Sequence, residues 1–380
     1  MKLLYTNFHS GSGGGHTTYV RELARALGNR HEVHVAAPPG SRLLLEAAAL
    51  PGIHTLAQPF PNGLRRLRER AAAVRQLHEY LRVHRFDIVH VNGSADHRIT
   101  IAALRGITPR PRLVLTKHNT KPMHGLQHVW RARFHTDKVI AVCDYVCRQV
   151  LATPYRVCQP QTVYNGVDTH YYAPFSDADA RAQRSRFTTD ADALLIGSNA
   201  GTADYKSWTD MAGAMALLNE DERRRVHVMV AGHPPTEHQL AIVRAAGLEA
   251  QFHFPGMLDD VRPVVAALDA GFVISHATEA ISFACREMMS MAKPVMVTDY
   301  SGLPENVRHG QDGWLVPVHG HAEMAETLRW MLQHRDALPQ MGAAAHAHAV
   351  AEFGMELFID RILAVYEQLL ANNPRQKSRS

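Results

Sequence analysis

The sequence predicts an α/β protein of two domains, each a parallel sheet with helices on both faces. Three observations carry this. At 380 residues and 42.3 kDa the chain exceeds one ordinary hydrophobic core. Short apolar segments alternate with helical ones through both halves, the pattern of strands joined by crossover helices. A polar stretch without strand signal, Tyr171–Thr189, separates the two series and reads as a linker.

In the first half Lys2–Thr6, Glu32–Ala37, Asp87–Val91, Arg112–Thr116 and Lys138–Val142 read as strands. Thr17–Leu27, Leu64–His84 and Asp144–Leu151 read as helices, with apolar residues recurring every three or four positions. The second half repeats the strand signal at Ala193–Gly197, Val226–Ala231, Gln251–Phe254, Gly271–Ser275 and Pro294–Thr298. Glu356–Leu370 is a strongly amphipathic helix, and 372–380 is a polar, basic tail expected to be disordered. The expected domains are 1–170, joined by the terminal helix 356–371, and 171–355.

Composition narrows the class. No apolar run approaches the roughly 20 residues a membrane-spanning helix needs, and MKLLYTNFHSGSGGG reads as a first strand ending in glycines rather than a signal peptide. Four cysteines (Cys143, Cys147, Cys158, Cys285) make no disulfide framework, which fits a reducing cytoplasm. Cys143 and Cys147 stand four apart without a partner pair at zinc-site spacing, so they read as packing residues. Residues 1–170 hold 23 Lys and Arg against 10 Asp and Glu, a net +13 hidden in the whole-chain +5. That asymmetry points to an anionic partner for the first half.

Glu279 and Glu287, in TEAISFACREMMSMAKPVMVTDYSGLPE, stand at the mouth of a predicted helix with seven residues between them. An apolar strand precedes them and another follows. Free amides at a helix N-terminus favour anions; Glu279 is expected on the loop facing that site, and Glu287 about two turns into the helix. Gly11, Gly13, Gly14 and Gly15 follow the first strand and open a helix, where backbone can approach a phosphate or sugar. The second strand ends in Ala-Ala-Pro instead of an acidic residue, which argues against an NAD site. His118 lies just past a strand's C-terminal end, where α/β ligands bind.

The E-x7-E pattern resembles that of retaining glycosyltransferases of family 4, which have the GT-B fold. Further segments match in order: T-K-H around His118, Asn165-Gly166-Val167-Asp168, Lys206 in GTADYKSW, FHFPGMLDDV, SGLPENV and HGQDGWLVP. The resemblance implies two Rossmann-like domains across a cleft, with the terminal helix crossing back to the first. It implies His118, Lys206 and Glu279 as catalytic residues. Gly14, Gly15, Gly201, Met257, Leu258, Ala280, Ile281, Ser282, Phe283 and Glu287 are implied as donor-binding, several through backbone amides. Asn165, Gly166 and Asp168 would form a hinge turn. The family's usual diphosphate-binding Arg is replaced here by Gly201, its following Gly by Ser207, and its Gly-Phe-Gly by Ala280-Ile281-Ser282.

The implied activity is sugar transfer with retention from a nucleotide-sugar such as a UDP- or GDP-sugar, without cofactor or metal. The paired aspartates Asp177/Asp179 and Asp190/Asp192 read as solvated. The expected acceptor is a lipopolysaccharide or other lipid-linked cell-envelope glycan. The expected place is the cytoplasm, peripheral to the anionic inner membrane face, with no nucleic-acid partner. A small soluble acceptor and a non-catalytic sugar-nucleotide-binding protein are the alternatives. An epimerase would use other carboxylates and histidines, and a phosphorylase a cofactor-lysine motif that the sequence lacks. The arginine-rich segment from Leu64 to Arg85 (Arg65, Arg66, Arg68, Arg70, Arg75, Arg82, Arg85) is expected to turn its cations outward. Its stripe of Leu64, Leu67, Ala71, Val74, Leu77 and Leu81 is expected to pack inward.

Overall fold

The computed structural model describes residues 1–11, 14–63 and 66–371. Gly13, Leu64, Arg65 and the tail 372–380 therefore lie outside the described residues. The chain divides into two units, Met1–Asn165 joined by the residues from Glu356 on, and Gly166–Met355.

The first unit holds β1 (Lys2–Thr6), β2 (Glu32–Ala37), β3 (Ile53–Ala57), β4 (Ile88–Val91), β5 (Arg112–Lys117), β6 (Lys138–Ala141) and β7 (Gln161–Thr162). They form one parallel sheet in the order β3-β2-β1-β4-β5-β6-β7. Its central strands are nearly continuous apolar runs because both faces are covered. The helix Met355–Ala371 belongs to this unit. Its Tyr366 hydroxyl donates to Tyr5 Oη at 3.1 Å and lies 2.6 Å from His90 Nδ1, while Phe358 packs edge-on against Tyr19.

The second unit holds β8 (Leu194–Ser198), β9 (Val226–Ala231), β10 (Phe252–Gly256), β11 (Ala270–Val273), β12 (Val295–Thr298) and β13 (Gly313–Val316). Their order is β10-β9-β8-β11-β12-β13, again parallel. In both sheets the winding reverses beside the first strand, between β1 and β4 and between β8 and β11. Loops leaving the carboxyl ends of those neighbours turn opposite ways and open a crevice.

Three expectations need correction. Tyr171–Thr189 is not a bare linker: it carries the helix Asp177–Arg184, whose N-cap Ser176 Oγ accepts from Asp179 N at 3.2 Å. Arg184 ties that helix to Asp269 at 2.8 Å, so the segment packs as part of the second unit. The arginine-rich helix begins at Leu67, and its buried residues are Ala73, Leu77 and Leu81, whereas Leu67 is exposed. Arg66 and Arg82 are ion-paired with Glu69 and Glu79, which reduces the outward charge of that face. Glu287 lies one turn into its helix rather than two, because the helix spans only Phe283–Ser290. The four cysteines are buried free thiols, and Asp177, Asp179, Asp190 and Asp192 are exposed.

Candidate functional site

In the second unit the switch point gathers side chains from two loops. The loop after β8 leads to the short turn Asp204–Lys206, and the loop after β11 carries Glu279 into the helix Phe283–Ser290. The Lys206 ammonium donates to Glu279 Oε2, and Ser275 Oγ donates to the same oxygen at 3.2 Å. Glu287 Oε2 accepts from Asn199 Nδ2 at 2.6 Å. Backbone ties hold the loops together: His276 N donates to Tyr205 O at 3.0 Å, and Ser207 Oγ lies 2.5 Å from His276 Nδ1. Thr278, a β-branched residue at φ +57, precedes Glu279. Such a conformation costs on the order of 1–3 kcal/mol and is held only where its surroundings fix it.

Glycine backbone builds the neighbouring wall. Gly201 has φ +92, and a Cβ on Gly232 would lie 2.8 Å from the Gly201 Cα and 2.9 Å from Thr202 N. Gly232 N donates to Gly256 O at 3.0 Å, which brings the turn Met257–Leu258 beside this loop. Met257 points its side chain to solvent. Ala280 and Ile281 are buried, and Ser282 Oγ caps the helix by accepting from Cys285 N at 3.3 Å. The helix is anchored from behind by Arg286, fully buried, which donates to Asn306 Oδ1 at 2.9 Å and stacks 3.8 Å over Phe353.

In the first unit the glycine loop ends at the N-cap Gly14 of the helix Gly15–Leu27. His16 in its first turn lies 3.1 Å by Nδ1 from Asn92 O, and its ring stacks 4.2 Å from His118. Gly14, Gly15 and His118 thus meet at the switch point between β1 and β4. His118 Nε2 lies 2.9 Å from Asn92 Oδ1, and Asn92 Nδ2 donates to Thr6 O at 3.1 Å. That assignment makes His118 Nε2 the donor and leaves Nδ1 as an acceptor. Burial pushes the His118 pKa well below its ordinary value, with His16, His90, His9 and Lys117 adding repulsion. Burial, then His9, takes His16 down to about 4. Both imidazoles are neutral at pH 7. Behind them Asp96 is buried, accepts from Thr6 Oγ1 at 2.7 Å and Asn92 N at 2.8 Å, and is pushed up to about 7 by burial.

The structure thus brings Lys206, Glu279 and Glu287 to one switch point, with Gly201 and the Met257–Leu258 turn on its glycine wall; Gly14, Gly15 and His118 lie together at the other. Asn165 is buried, and Asp168 accepts from Tyr171 N at 3.0 Å in a local turn. Sequence reasoning missed Asn199, Ser275, His276, His16 and Asn92. Each lies at or just beyond the carboxyl end of a first or fourth strand, except His16, which follows the glycines. That position in the strand order was the available signal.

The family model described as Glycosyltransferase Family 4 matches residues 13–171, and the one described as Glycosyl transferases group 1 matches residues 192–334. The chain is 22% identical over 301 residues to an N-acetyl-alpha-D-glucosaminyl L-malate synthase of Bacillus anthracis, covering 77% of each chain. It is 25% identical to the lipopolysaccharide core biosynthesis glycosyltransferase LpsE of Rhizobium meliloti, covering 50% of this chain and 54% of that one. Among solved structures, a glycosyltransferase from Rickettsia africae superposes with a TM-score of 0.86 at 16% identity, covering 98% and 99% of the chains. Anabaena HepE in complex with UDP and glucose superposes with a TM-score of 0.80 at 20% identity, covering 97% and 99%. With both halves matched, both sheets wound alike and the same fold recovered over nearly the whole chain, the protein belongs to the family 4 glycosyltransferases of GT-B fold.

Proposed function

We propose that the protein transfers a sugar from a nucleotide-sugar to a cell-envelope glycan with retention of anomeric configuration. The observation that carries this is the meeting of Lys206, Glu279, Asn199 and Glu287 at the switch point of the second sheet. A diphosphate there exchanges for Glu279 as partner of the Lys206 ammonium, and helix and glycine-loop amides supply further donors. Glu279 is then freed to meet hydroxyls of the donor sugar, and Glu287 those of the ribose. Transfer breaks the bond from the anomeric carbon to the diphosphate oxygen and forms one to the acceptor oxygen on the same face. The acceptor proton passes to the departing diphosphate. Fixed donors that stabilise such charge contribute several kcal/mol each, so this scheme assigns no step to a metal ion. Neutral His118, held by Asn92, offers Nδ1 as an acceptor at the switch point of the first sheet.

A UDP-sugar is the favoured donor, since HepE binds UDP and glucose. A lipid-linked or lipopolysaccharide acceptor is supported by LpsE and by the lipopolysaccharide outer core galactosyltransferase WaaB, TM-score 0.69. The net +13 of residues 1–170 suits peripheral attachment at an anionic cytoplasmic membrane face. Among the described residues no helix is long and apolar enough to cross a membrane. The likeness to the malate synthase supports a second reading, a small soluble acceptor.

The test is proton NMR of the product's anomeric centre, formed with UDP-, GDP- or ADP-glucose in the presence of EDTA. Retained configuration is expected; inversion, or loss of turnover on chelation, overturns the scheme.

A further inference from the structure

Toward the amino ends of β1, β2 and β3 the parallel register gathers polar side chains. Lys2 is the ladder partner of Glu32, and His34 that of His54. Glu32 and His34 are two apart on β2 and so share a face. Glu32 Oε1 lies 3.0 Å from His34 Nε2 and 2.7 Å from the Lys2 ammonium. The His34 and His54 rings stack with centroids 4.5 Å apart. His84, last residue of the helix Leu67–His84, brings its ring to 4.9 Å from that of His34. Among the described residues, Glu32, His34 and His54 are the set of His, Cys, Asp or Glu side chains whose ligand atoms all lie within 4.8 Å of one another.

An ion pair between Lys2 and Glu32 needs no histidine, and a packed histidine needs no carboxylate. Imidazoles stacked beside one carboxylate suit a cation that neutral rings can share. Two ligands held at about 2.0–2.1 Å in a tetrahedron lie about 3.3 Å apart, close to the spacing of His34 Nε2 and Glu32 Oε1. His34 is buried and therefore fixed in orientation, whereas Glu32 and His54 are exposed and can close the remaining gap. Tyr80 Oη stands 2.6 Å from His34 Nδ1. A hydroxyl both donates and accepts. When Nε2 gives its lone pair to a metal, Nδ1–H can donate to Tyr80, the kind of outer partner that orients metal-bound histidines.

We propose that Glu32, His34 and His54 form a Zn²⁺ site, completed by water, that clips β3 to β2. Two imidazole nitrogens and a carboxylate oxygen suit Zn²⁺, whereas Mg²⁺ favours an octahedron of oxygens. β3 is an edge strand paired only with β2 and mostly exposed, so a metal bridge supplies a tie that burial does not. The site lies away from the carboxyl ends of the strands, where Gly14, Gly15 and His118 gather. The ion therefore adds stability and takes no part in sugar transfer. Chelation lowers the melting temperature and spares turnover below it. Binding also displaces the Lys2 ammonium from Glu32.

The experiment is calorimetric titration of the EDTA-treated, dialysed full chain with ZnCl₂ and with MgCl₂, alongside melting curves at rising concentrations of each. Glu32→Gln, His54→Ala and Lys2→Met are compared with the native chain. All three positions are at least partly exposed, so these variants are expected to fold. His238→Ala, an exposed histidine of the second unit, serves as the control. Expected is one Zn²⁺ per chain, with a melting temperature that climbs with ZnCl₂ as ligand linkage requires and is unmoved by MgCl₂. Glu32→Gln and His54→Ala should each weaken Zn²⁺ binding at least tenfold, and His238→Ala should leave it unchanged. Lys2→Met should bind at least threefold more tightly, because the competing cation is gone. Equal responses to Zn²⁺ and Mg²⁺, no rise in melting temperature, or equal Zn²⁺ affinity in the native chain and in Glu32→Gln and His54→Ala overturns the proposal and leaves an adventitious ion only. Equal or weaker binding by Lys2→Met removes Glu32 from the ligand set and overturns the three-ligand site. The outcome is independent of the glycosyltransferase reading, which the anomeric NMR tests separately.

Discussion

Lys206 and Glu279 stand 73 residues apart in the chain and form an ion pair whose side chains are only 13% and 11% exposed. The pair links the two loops that flank the switch point of the second sheet. In the proposed scheme the pair keeps each charge partnered before the donor arrives, and a diphosphate replaces the carboxylate without leaving the ammonium bare.

That exchange sets the first prediction. A double-mutant cycle of Lys206→Ala and Glu279→Ala, followed by denaturant unfolding, should show a coupling energy of about 1–3 kcal/mol. For donor binding, Lys206→Ala should be the more damaging substitution. Additive stabilities would mean that the pair is incidental.

Glu287→Ala removes the carboxylate that accepts from Asn199 at 2.6 Å. Donor affinity should fall by about 1.5–3 kcal/mol, the range for a hydrogen bond to a charged group. Calorimetry with the cognate nucleotide-sugar measures it. Unchanged affinity would remove Glu287 from the site.

Gly201 stands where the resemblance to the family implies an arginine; a Cβ there would meet open space, but the φ of +92 leaves any side chain strained. Gly201→Arg should therefore lower stability by about 1–3 kcal/mol and leave donor affinity no tighter. A tenfold gain in affinity would show that the loop accommodates the larger residue and that the missing cation matters.

Asp96 makes stability depend on pH. Its folded pKa is raised from 3.8 to about 7, so its neutral form favours folding below about pH 4 and that advantage is lost as pH rises through 7. The slope for one such proton is about 1.4 kcal/mol per pH unit. Asp96→Asn keeps an acceptor for Asn92 N and Thr6 and does not titrate. Its melting temperature should gain on the native chain between pH 4 and 7; a constant difference would contradict the burial argument.

Much of the fold was legible because buried parallel strands are written as continuous apolar runs. β1, β2 and β9 fall at the residues their patterns mark, as does the helix Asp144–Leu151. The edge strand β3 was not legible: Ile53–Ala57 is mostly exposed, so burial left no pattern in it. The helix Asp177–Arg184 was hidden for the same reason, since it buries none of its residues fully and is held by a cap and an ion pair. At the candidate site, Glu279 stood out by its spacing from Glu287, and Lys206 by its register in the family pattern. Asn199 and Asn92 did not, because their roles come from which strands neighbour the first strand of each sheet. Three-dimensional adjacency of that kind has no local signature.

The docking of Tyr366 on Tyr5 and His90 also bears on how the protein is made. The ribosome completes the first unit's strands early but delivers the helix that covers them only after translating all of the second unit. Until then Tyr5, Tyr19 and His90 lack their cover, and the nascent first unit is an incomplete body exposed to chaperones and proteases. Maturation of the amino-terminal half is thereby timed by the synthesis of the carboxyl-terminal one. A chain interrupted anywhere in between lacks that covering helix and leaves Tyr5 and His90 without the Tyr366 hydroxyl.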